Sequence, residues 1–209
     1  MIRSARVELV ARRALDDRPQ ALVGLAWYRD AHAWAESLAA AFGLPVETVV
    51  GVVAALSPLN GWESQLEWTP RILSAWAVDR PDRSTAVETA AEWIPGPGLG
   101  ANKRKAARIL CGESPLDVLG GSKVRAFYAN IRGDETAVCV DRHAWAIATG
   151  DVAGDVSITA KRYRETVAAF TCAAANLRAA FPALSDVLTP AGVQALTWVW
   201  WRDNTGDRF

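Results

Sequence analysis

Residues 119–124 read Leu-Gly-Gly-Ser-Lys-Val, and residues 138–145 read Val-Cys-Val-Asp-Arg-His-Ala-Trp. The glycine pair of the first stretch predicts a tight turn, after which a helix opens at Lys123. In the second stretch Asp141 follows a short apolar run and directly precedes a further predicted helix. An aspartate at such a position is typical of an N-cap, whose side chain accepts a hydrogen bond from the first helical turn. The two stretches together predict two helices, which are connected by a turn and a short extended segment at 137–140.

The rest of the chain continues the helical pattern, and its 209 residues, of which 51% are hydrophobic, suffice for one large domain. Residues 46–56 are apolar almost throughout, which predicts a buried central helix. In the next helix, Leu66, Trp68 and Ile72 are expected to point inward. The predicted helices cover 4–18, 21–42, 46–56, 62–78, 84–93, 102–110, 114–119, 123–131, 142–149, 159–181 and 191–202, with a polar loop at 79–84.

The net charge of zero argues against a strongly basic, histone-like protein. Residues 98–132 nevertheless hold seven cations against two anions, a local basic patch suited to contact with a few DNA phosphates. The three cysteines are widely separated, so neither a metal site nor an iron–sulfur cluster is expected, and no cofactor is implied. We find no signal peptide and no apolar stretch long enough to span a membrane, which predicts a cytoplasmic protein.

Three stretches, taken in order, resemble the helix-hairpin-helix (HhH-GPD) DNA glycosylase superfamily, in particular its endonuclease III-like branch. They are Val52–Asn60, Gly98–Leu110 and Leu119–Trp145, and the eighteen-residue interval from Lys123 to Asp141 matches the family spacing. The resemblance implies a mostly α, two-lobed fold in one domain, residues 1–209, with a cleft between the lobes and a hairpin region at about 94–150.

The chain departs from the family pattern in several places. The family hairpin usually reads Leu-Pro-Gly-Val-Gly-x-Lys, whereas Leu119–Lys123 is two residues shorter. Arg142 replaces the usual threonine, and the cluster-binding cysteines of the endonuclease III branch are missing. These departures indicate a divergent phage- or plasmid-borne member without the iron–sulfur cluster.

The resemblance also assigns roles to individual residues. Asp141 would stabilise positive charge developing on the sugar, and Lys123 would act as an amine nucleophile. Asp141 as a plain N-cap and Lys123 as a solvated lysine remain open alternatives, as does a purely structural role for His143. Residues expected to contact substrate or DNA are Ser57, Asn60, Trp62, Lys103, Gly120, Gly121, Ser122, Arg142 and His143.

The expected function is therefore that of a DNA base-processing enzyme. Its simplest form is an N-glycosylase, with or without lyase activity, acting on a flipped-out damaged or modified base. A phage-type thymine hypermodification enzyme on the same scaffold is one alternative. A DNA-binding module without catalytic activity is the other. The oligomeric state stays open.

Overall fold

The computed structural model describes residues 2–79, 82–152 and 157–204, and within these ranges the secondary structure is helical, without strands. This confirms the prediction of a mostly α protein. The helices are α1 (Ser4–Asp16), α2 (Arg18–Phe42), α3 (Val46–Leu56), α4 (Trp62–Asp79), α5 (Arg83–Glu88), α6 (Ala90–Trp93), α7 (Gly100–Leu110), α8 (Pro115–Val118), α9 (Ser122–Ile131), α10 (Arg142–Thr149), α11 (Ala160–Ala180) and α12 (Pro190–Asn204), with a 3-10 turn at Pro182–Leu184.

The chain divides into two compact units. The first consists of Met1–Ala31 and Ala129–Phe209, and the second consists of His32–Tyr128. The divisions fall inside α2 and α9, so each of these helices contributes residues to both units. Asp141 belongs to the first unit and Lys123 to the second.

The first unit is built around α1, α10, α11 and α12. Helix α1 buries Val7, Val10, Ala11 and Ala14, whose three- and four-residue spacing produces a single apolar face. Helices α2 and α12 pack very closely at Gly24, where an added Cβ atom would lie 2.7 Å from the Cα atom of Leu196. The absence of a side chain at Gly24 is therefore what permits this packing.

The second unit is centred on α3. Every residue from Val49 to Leu56 is buried, because the helix is apolar on all sides and is covered mainly by α7. This confirms the predicted central helix. An added Cβ atom at Gly51 would lie 2.8 Å from the Pro115 side chain, so α8 also packs tightly against this helix.

Two details of the second unit differ from expectation. The prediction that Leu66 points inward is wrong, since its side chain is 41% exposed, whereas Ile72 is buried as expected. The helix predicted at 84–93 is divided at Thr89 into α5 and α6. The predicted loop at 79–84 includes residues 80 and 81, which lie outside the described residues.

Among the described helices, none is by itself both long and apolar enough to cross a membrane. Helices α2 and α3 satisfy the length and composition criteria only when taken together as a bent pair.

Candidate functional site

Asp141 stands at the N-terminus of α10, as the sequence predicts. Its backbone is extended (φ −104°, ψ −172°), and its Oδ1 atom accepts a hydrogen bond of 2.8 Å from the Ala144 backbone N–H. The helix ends at Gly150, whose φ of +80° favours glycine. The N-cap prediction is confirmed, and this contact uses one of the two carboxylate oxygens.

The second oxygen of Asp141 is held by a tryptophan that is distant in sequence. The indole Nε1–H of Trp198, on α12, donates a hydrogen bond of 3.0 Å to Oδ2. Both side chains are half-buried, so the carboxylate stays near solvent while two donors fix its orientation. An N-cap needs a single acceptor oxygen, and the contact with Trp198 is therefore additional to capping.

Further rings pack on or next to Trp198, and we call Trp27, Tyr28, His143 and Trp198 the aromatic cluster. The ring centroid of Trp27 lies 4.9 Å from that of Tyr28 and 6.0 Å from that of Trp198, both in edge-to-face geometry. His143 meets Trp198 edge-to-face at 6.2 Å. Such edge-to-face packing stabilises ring orientations, and partly exposed tryptophan faces provide surfaces on which a planar ligand can stack.

A polar chain lies behind the aromatic cluster. The Tyr28 hydroxyl donates a 2.6 Å hydrogen bond to Oε1 of Gln194, a buried amide on α12. Burial is the main cause that raises the pKa of Tyr28 well above its ordinary value, with a further contribution from the charge of Cys139. A hydrogen bond from Asn130 acts in the opposite direction, and the negative charge of Asp141 also raises this pKa. Tyr28 therefore stays a protonated donor close to the Asp141 carboxylate.

Tyr163 fixes the segment that leads into Asp141. Its hydroxyl donates to the Val138 carbonyl oxygen at 2.8 Å and accepts from the Val140 N–H at 3.4 Å. Burial is the largest of the causes that raise the pKa of Tyr163 to about 12. These two contacts replace strand pairing for the extended piece at 137–140, which has no neighbouring strand among the described residues.

Arg142 and His143 follow Asp141 in the chain, and Arg202 lies against its partner Trp198. Arg142 is exposed, and its Nε–H donates to Nε2 of the buried His143 at 3.5 Å. The guanidinium of Arg202 lies 4.6 Å from the centre of a Trp198 ring, within cation–π range. His143 is thus packed between polar and aromatic neighbours, and Arg142 contacts it from the exposed side.

The predicted hairpin and Lys123 belong to the second unit. Gly121 has a φ of +80°, a left-handed conformation that favours glycine, and Ser122 begins α9 with Lys123 next to it, half-buried. Arg125 donates to the carbonyl oxygens of Leu119 and Leu116 at 2.7 and 3.0 Å. This arginine of the basic patch therefore holds the hairpin in shape from within the chain.

The turn at 57–62 is built largely by its own polar side chains. The buried Ser57 hydroxyl donates to the Ala54 carbonyl oxygen at 3.0 Å, and Nδ2 of Asn60 donates to Leu56 O at 2.7 Å and to Pro97 O at 3.4 Å. Ser57 and Asn60 were expected to contact substrate or DNA, and these contacts direct the hydroxyl hydrogen of Ser57 and the amide hydrogens of Asn60 to carbonyl oxygens of the chain itself. Trp62, which begins α4, packs edge-to-face on Trp34 at 5.2 Å.

The basic patch also has internal partners in the second unit. Nζ of Lys103 donates to Ile94 O at 2.8 Å and ties α7 to the Gly-rich turn before it. The Nε–H of Arg108 donates to Oε1 of Glu113 at 2.9 Å, and Arg83 pairs with the same carboxylate. Part of the predicted phosphate-binding charge is thus used for folding. In the described part of the chain, no group of His, Cys, Asp and Glu could hold a metal ion.

The partners that orient Asp141 were not predicted from the sequence. Trp198 is 57 residues away from Asp141, and Gln194 is 166 residues away from Tyr28. The available signal was the spacing of Gln194, Trp198 and Arg202 at every fourth position of α12, which places their side chains on one helix face. Nothing in the sequence indicates which element that face contacts.

Residues 7–205 match the model of a family described as a family of unknown function, DUF7178, and the chain belongs to that family. No curated protein matches the chain, and no solved structure matches it.

Proposed function

For this member of the DUF7178 family we propose a DNA base-processing function, most simply that of an N-glycosylase acting on a flipped-out damaged or modified base. The observation that carries the proposal is the Asp141 carboxylate, which two N–H donors orient at the half-buried edge of the aromatic cluster. The resemblance to helix-hairpin-helix glycosylases supplies the same assignment for this residue. A cytoplasmic location remains part of the proposal.

The chemistry requires a fixed negative charge beside a sugar. Hydrolysis breaks the bond between C1′ and the base nitrogen, the base leaves with the bonding electrons and a proton, and water adds to C1′. The transition state is oxocarbenium-like, and a preorganised carboxylate stabilises its positive charge without having to reorient. Because Ala144 and Trp198 hold both oxygens of Asp141, the carboxylate meets this requirement.

A flipped-out base also needs a stacking surface, because leaving the duplex costs a few kcal/mol. Trp198, which bonds the carboxylate, and Trp27, which packs on Trp198, are half-buried rings. Stacking on such rings contributes about 1–3 kcal/mol per base. Within the proposal, Arg142 of the first unit contacts the DNA backbone. The residues of the second unit that are proposed to contact DNA are Lys103, Gly120, Gly121, Ser122 and Lys123. Lys123 would be the amine nucleophile if the enzyme also cleaves the strand.

The test is base release from oligonucleotides that carry single damaged or modified bases, in duplex and single-stranded form. Asp141→Asn is the informative variant, because asparagine caps helices as well as aspartate does and the substitution removes the charge. We expect it to lower the rate by about 10²- to 10³-fold, the usual loss for one electrostatic stabiliser. The matched control is Asp82→Asn, at the N-cap of α5 in the other unit, which should retain the wild-type rate.

The possible outcomes separate the alternatives. Base release that survives Lys123→Ala indicates a monofunctional glycosylase, whereas borohydride-trapped adducts that vanish with Lys123→Ala indicate lyase activity. A mass change on a modified thymine without base release would support the hypermodification enzyme instead. DNA binding that leaves every base unchanged would overturn the proposed catalysis and leave a binding module.

A further inference from the structure

The proposed glycosylase function leaves the identity of the base open, and one buried amide bears on it. Gln194 is 4% exposed, and its Oε1 atom accepts the hydrogen bond from the Tyr28 hydroxyl. Tyr28 in turn receives a hydrogen bond from Asn130. The chain of donors thus runs from Asn130 through Tyr28 to Gln194, and it fixes which end of the Gln194 amide is occupied.

The other end of this amide is a donor. With Oε1 engaged, the NH₂ group of Gln194 faces away from Tyr28. It makes no hydrogen bond in the described ranges, yet Nε2 is not one of the buried polar atoms that lack a partner there, so this donor is in contact with solvent and a ligand acceptor can reach it. Tyr28 cannot reverse the arrangement by giving up its proton, since its raised pKa keeps the hydroxyl a donor.

The amide belongs to the same site as Asp141. Gln194 and Trp198 are four residues apart on α12 and therefore share a helix face. Trp27 contacts both Tyr28 and Trp198, and the charge of Asp141 acts on Tyr28. A planar ligand that stacks on the aromatic cluster beside Asp141 is thus placed to offer an edge to Gln194.

We propose that Gln194 is a specificity-determining residue, which donates a hydrogen bond to the carbonyl oxygen at C4 of a target pyrimidine or at C6 of a target purine while Tyr28 positions it. This inference rests on the proposed function and narrows its substrate class. Thymine, uracil, guanine, hypoxanthine and their modified forms carry such an oxygen, whereas cytosine and adenine carry an amino donor at the same position. The amide donor accordingly selects against cytosine and adenine.

The experiment measures binding, independently of base release. Single-stranded 11-mers contain ten adenines and one central base, drawn from two pairs: hypoxanthine and purine, which differ in O6, or thymine and 5-methylpyrimidin-2-one, which differ in O4. Dissociation constants are obtained by fluorescence anisotropy. The wild-type protein should favour the member that carries O6 or O4 in at least one pair by about three- to tenfold, the contribution of one hydrogen bond.

Gln194→Met keeps the side-chain length and removes the donor, so the ratio should fall to about one. Tyr28→Phe keeps Gln194 but removes the hydroxyl that fixes its amide, so the ratio of dissociation constants should fall to a value between one and that of the wild type. This variant also tests the role of Gln194 if Gln194→Met does not fold. The matched control is Gln65→Met, another glutamine that is 4% exposed, in the second unit, which should keep the wild-type ratio.

Equal ratios in the wild type and in Gln194→Met, or the absence of a preference in both pairs, would overturn the inference. Either result leaves the proposed function standing if Asp141→Asn lowers the rate of base release by about 10²- to 10³-fold. Conversely, a carbonyl preference that depends on Gln194 in a protein that releases no base would refute the catalysis and keep the recognition.

Discussion

Replacing Trp198 by phenylalanine tests whether the indole N–H is what orients Asp141. The change keeps an aromatic ring at the position and deletes the donor of the 3.0 Å bond to Oδ2. Hydrogen bonds to charged groups contribute about 1.5–3 kcal/mol to stability. Because both side chains are half-buried, water can partly replace the lost donor, and we expect a loss of about 1–2 kcal/mol in the free energy of unfolding.

Trp198→Phe also removes ring area, and this contribution must be subtracted. Trp200 lies on the same helix, is half-buried and packs against the core of the first unit, so Trp200→Phe provides the matched control. The expected 1–2 kcal/mol is the difference between the two variants, measured by urea denaturation with far-UV circular dichroism. Circular dichroism is preferred because either substitution alters the tryptophan fluorescence.

A double-mutant cycle with Asp141→Asn isolates the pair. In Asp141→Asn the side-chain oxygen can still accept the hydrogen bond from the Ala144 N–H. The NH₂ group then faces the indole N–H of Trp198, and no hydrogen bond can form because both groups are donors. Trp198→Phe should therefore cost little in the Asp141→Asn background, giving a coupling energy of at least about 1 kcal/mol. Equal costs in both backgrounds would show that Trp198 does not orient the carboxylate and would remove the main support for Asp141 as a prepared site.

Three further predictions concern parts of the fold around and away from the site. The pKa of Tyr163 is about 12 in the folded chain and 10 for an unperturbed tyrosine. The free energy of unfolding should therefore fall as the pH rises from about 10 to 12. In Tyr163→Phe the midpoint of urea unfolding should decrease less over this pH range. Hydrogen bonds from Thr85 and Ser84 lower the pKa of Asp82 to about 2. The ionised Asp82 carboxylate therefore stabilises α5 above about pH 4, and this stabilisation is lost as the pH falls to about 2. Asp82→Asn should remove this contribution to the acid dependence of stability. Gly24→Ala would bring Cβ to 2.7 Å from a backbone atom and should cost about 1–3 kcal/mol in thermal or urea unfolding, whereas Gly120→Ala, with no atom within 4 Å, should change stability by less than about 0.5 kcal/mol.

Much of the secondary structure could be predicted because its causes are local. The apolar residues of 46–56 predict a buried helix, and the Asp141 cap follows from one residue type at the end of an apolar run. The error at Leu66 has a different origin. Helical spacing gives the direction of a side chain relative to its own helix, but the exposed fraction depends on whether another element covers that direction.

The candidate site was predictable only in part, for a related reason. Asp141, Arg142 and His143 lie together because they are neighbours in sequence, and the glycine turn before Lys123 is equally local. Ser57 and Asn60 were expected to contact substrate or DNA, but their side chains donate hydrogen bonds to nearby carbonyl oxygens of the chain itself. Sequence indicates which groups are polar, whereas the folded chain decides which of them are already satisfied.

The sequence by itself determined the helices, the cap at Asp141 and the local basic patch, because these depend on residues within a few positions of one another. The tertiary structure alone decided that Trp198 holds the second oxygen of Asp141 and that Tyr28 occupies one end of Gln194. These pairs are formed by the packing of α12 in the first unit, and helical periodicity does not specify which elements a helix will contact. The proposed chemistry therefore rests on a residue that the sequence identified and on partners that packing supplied.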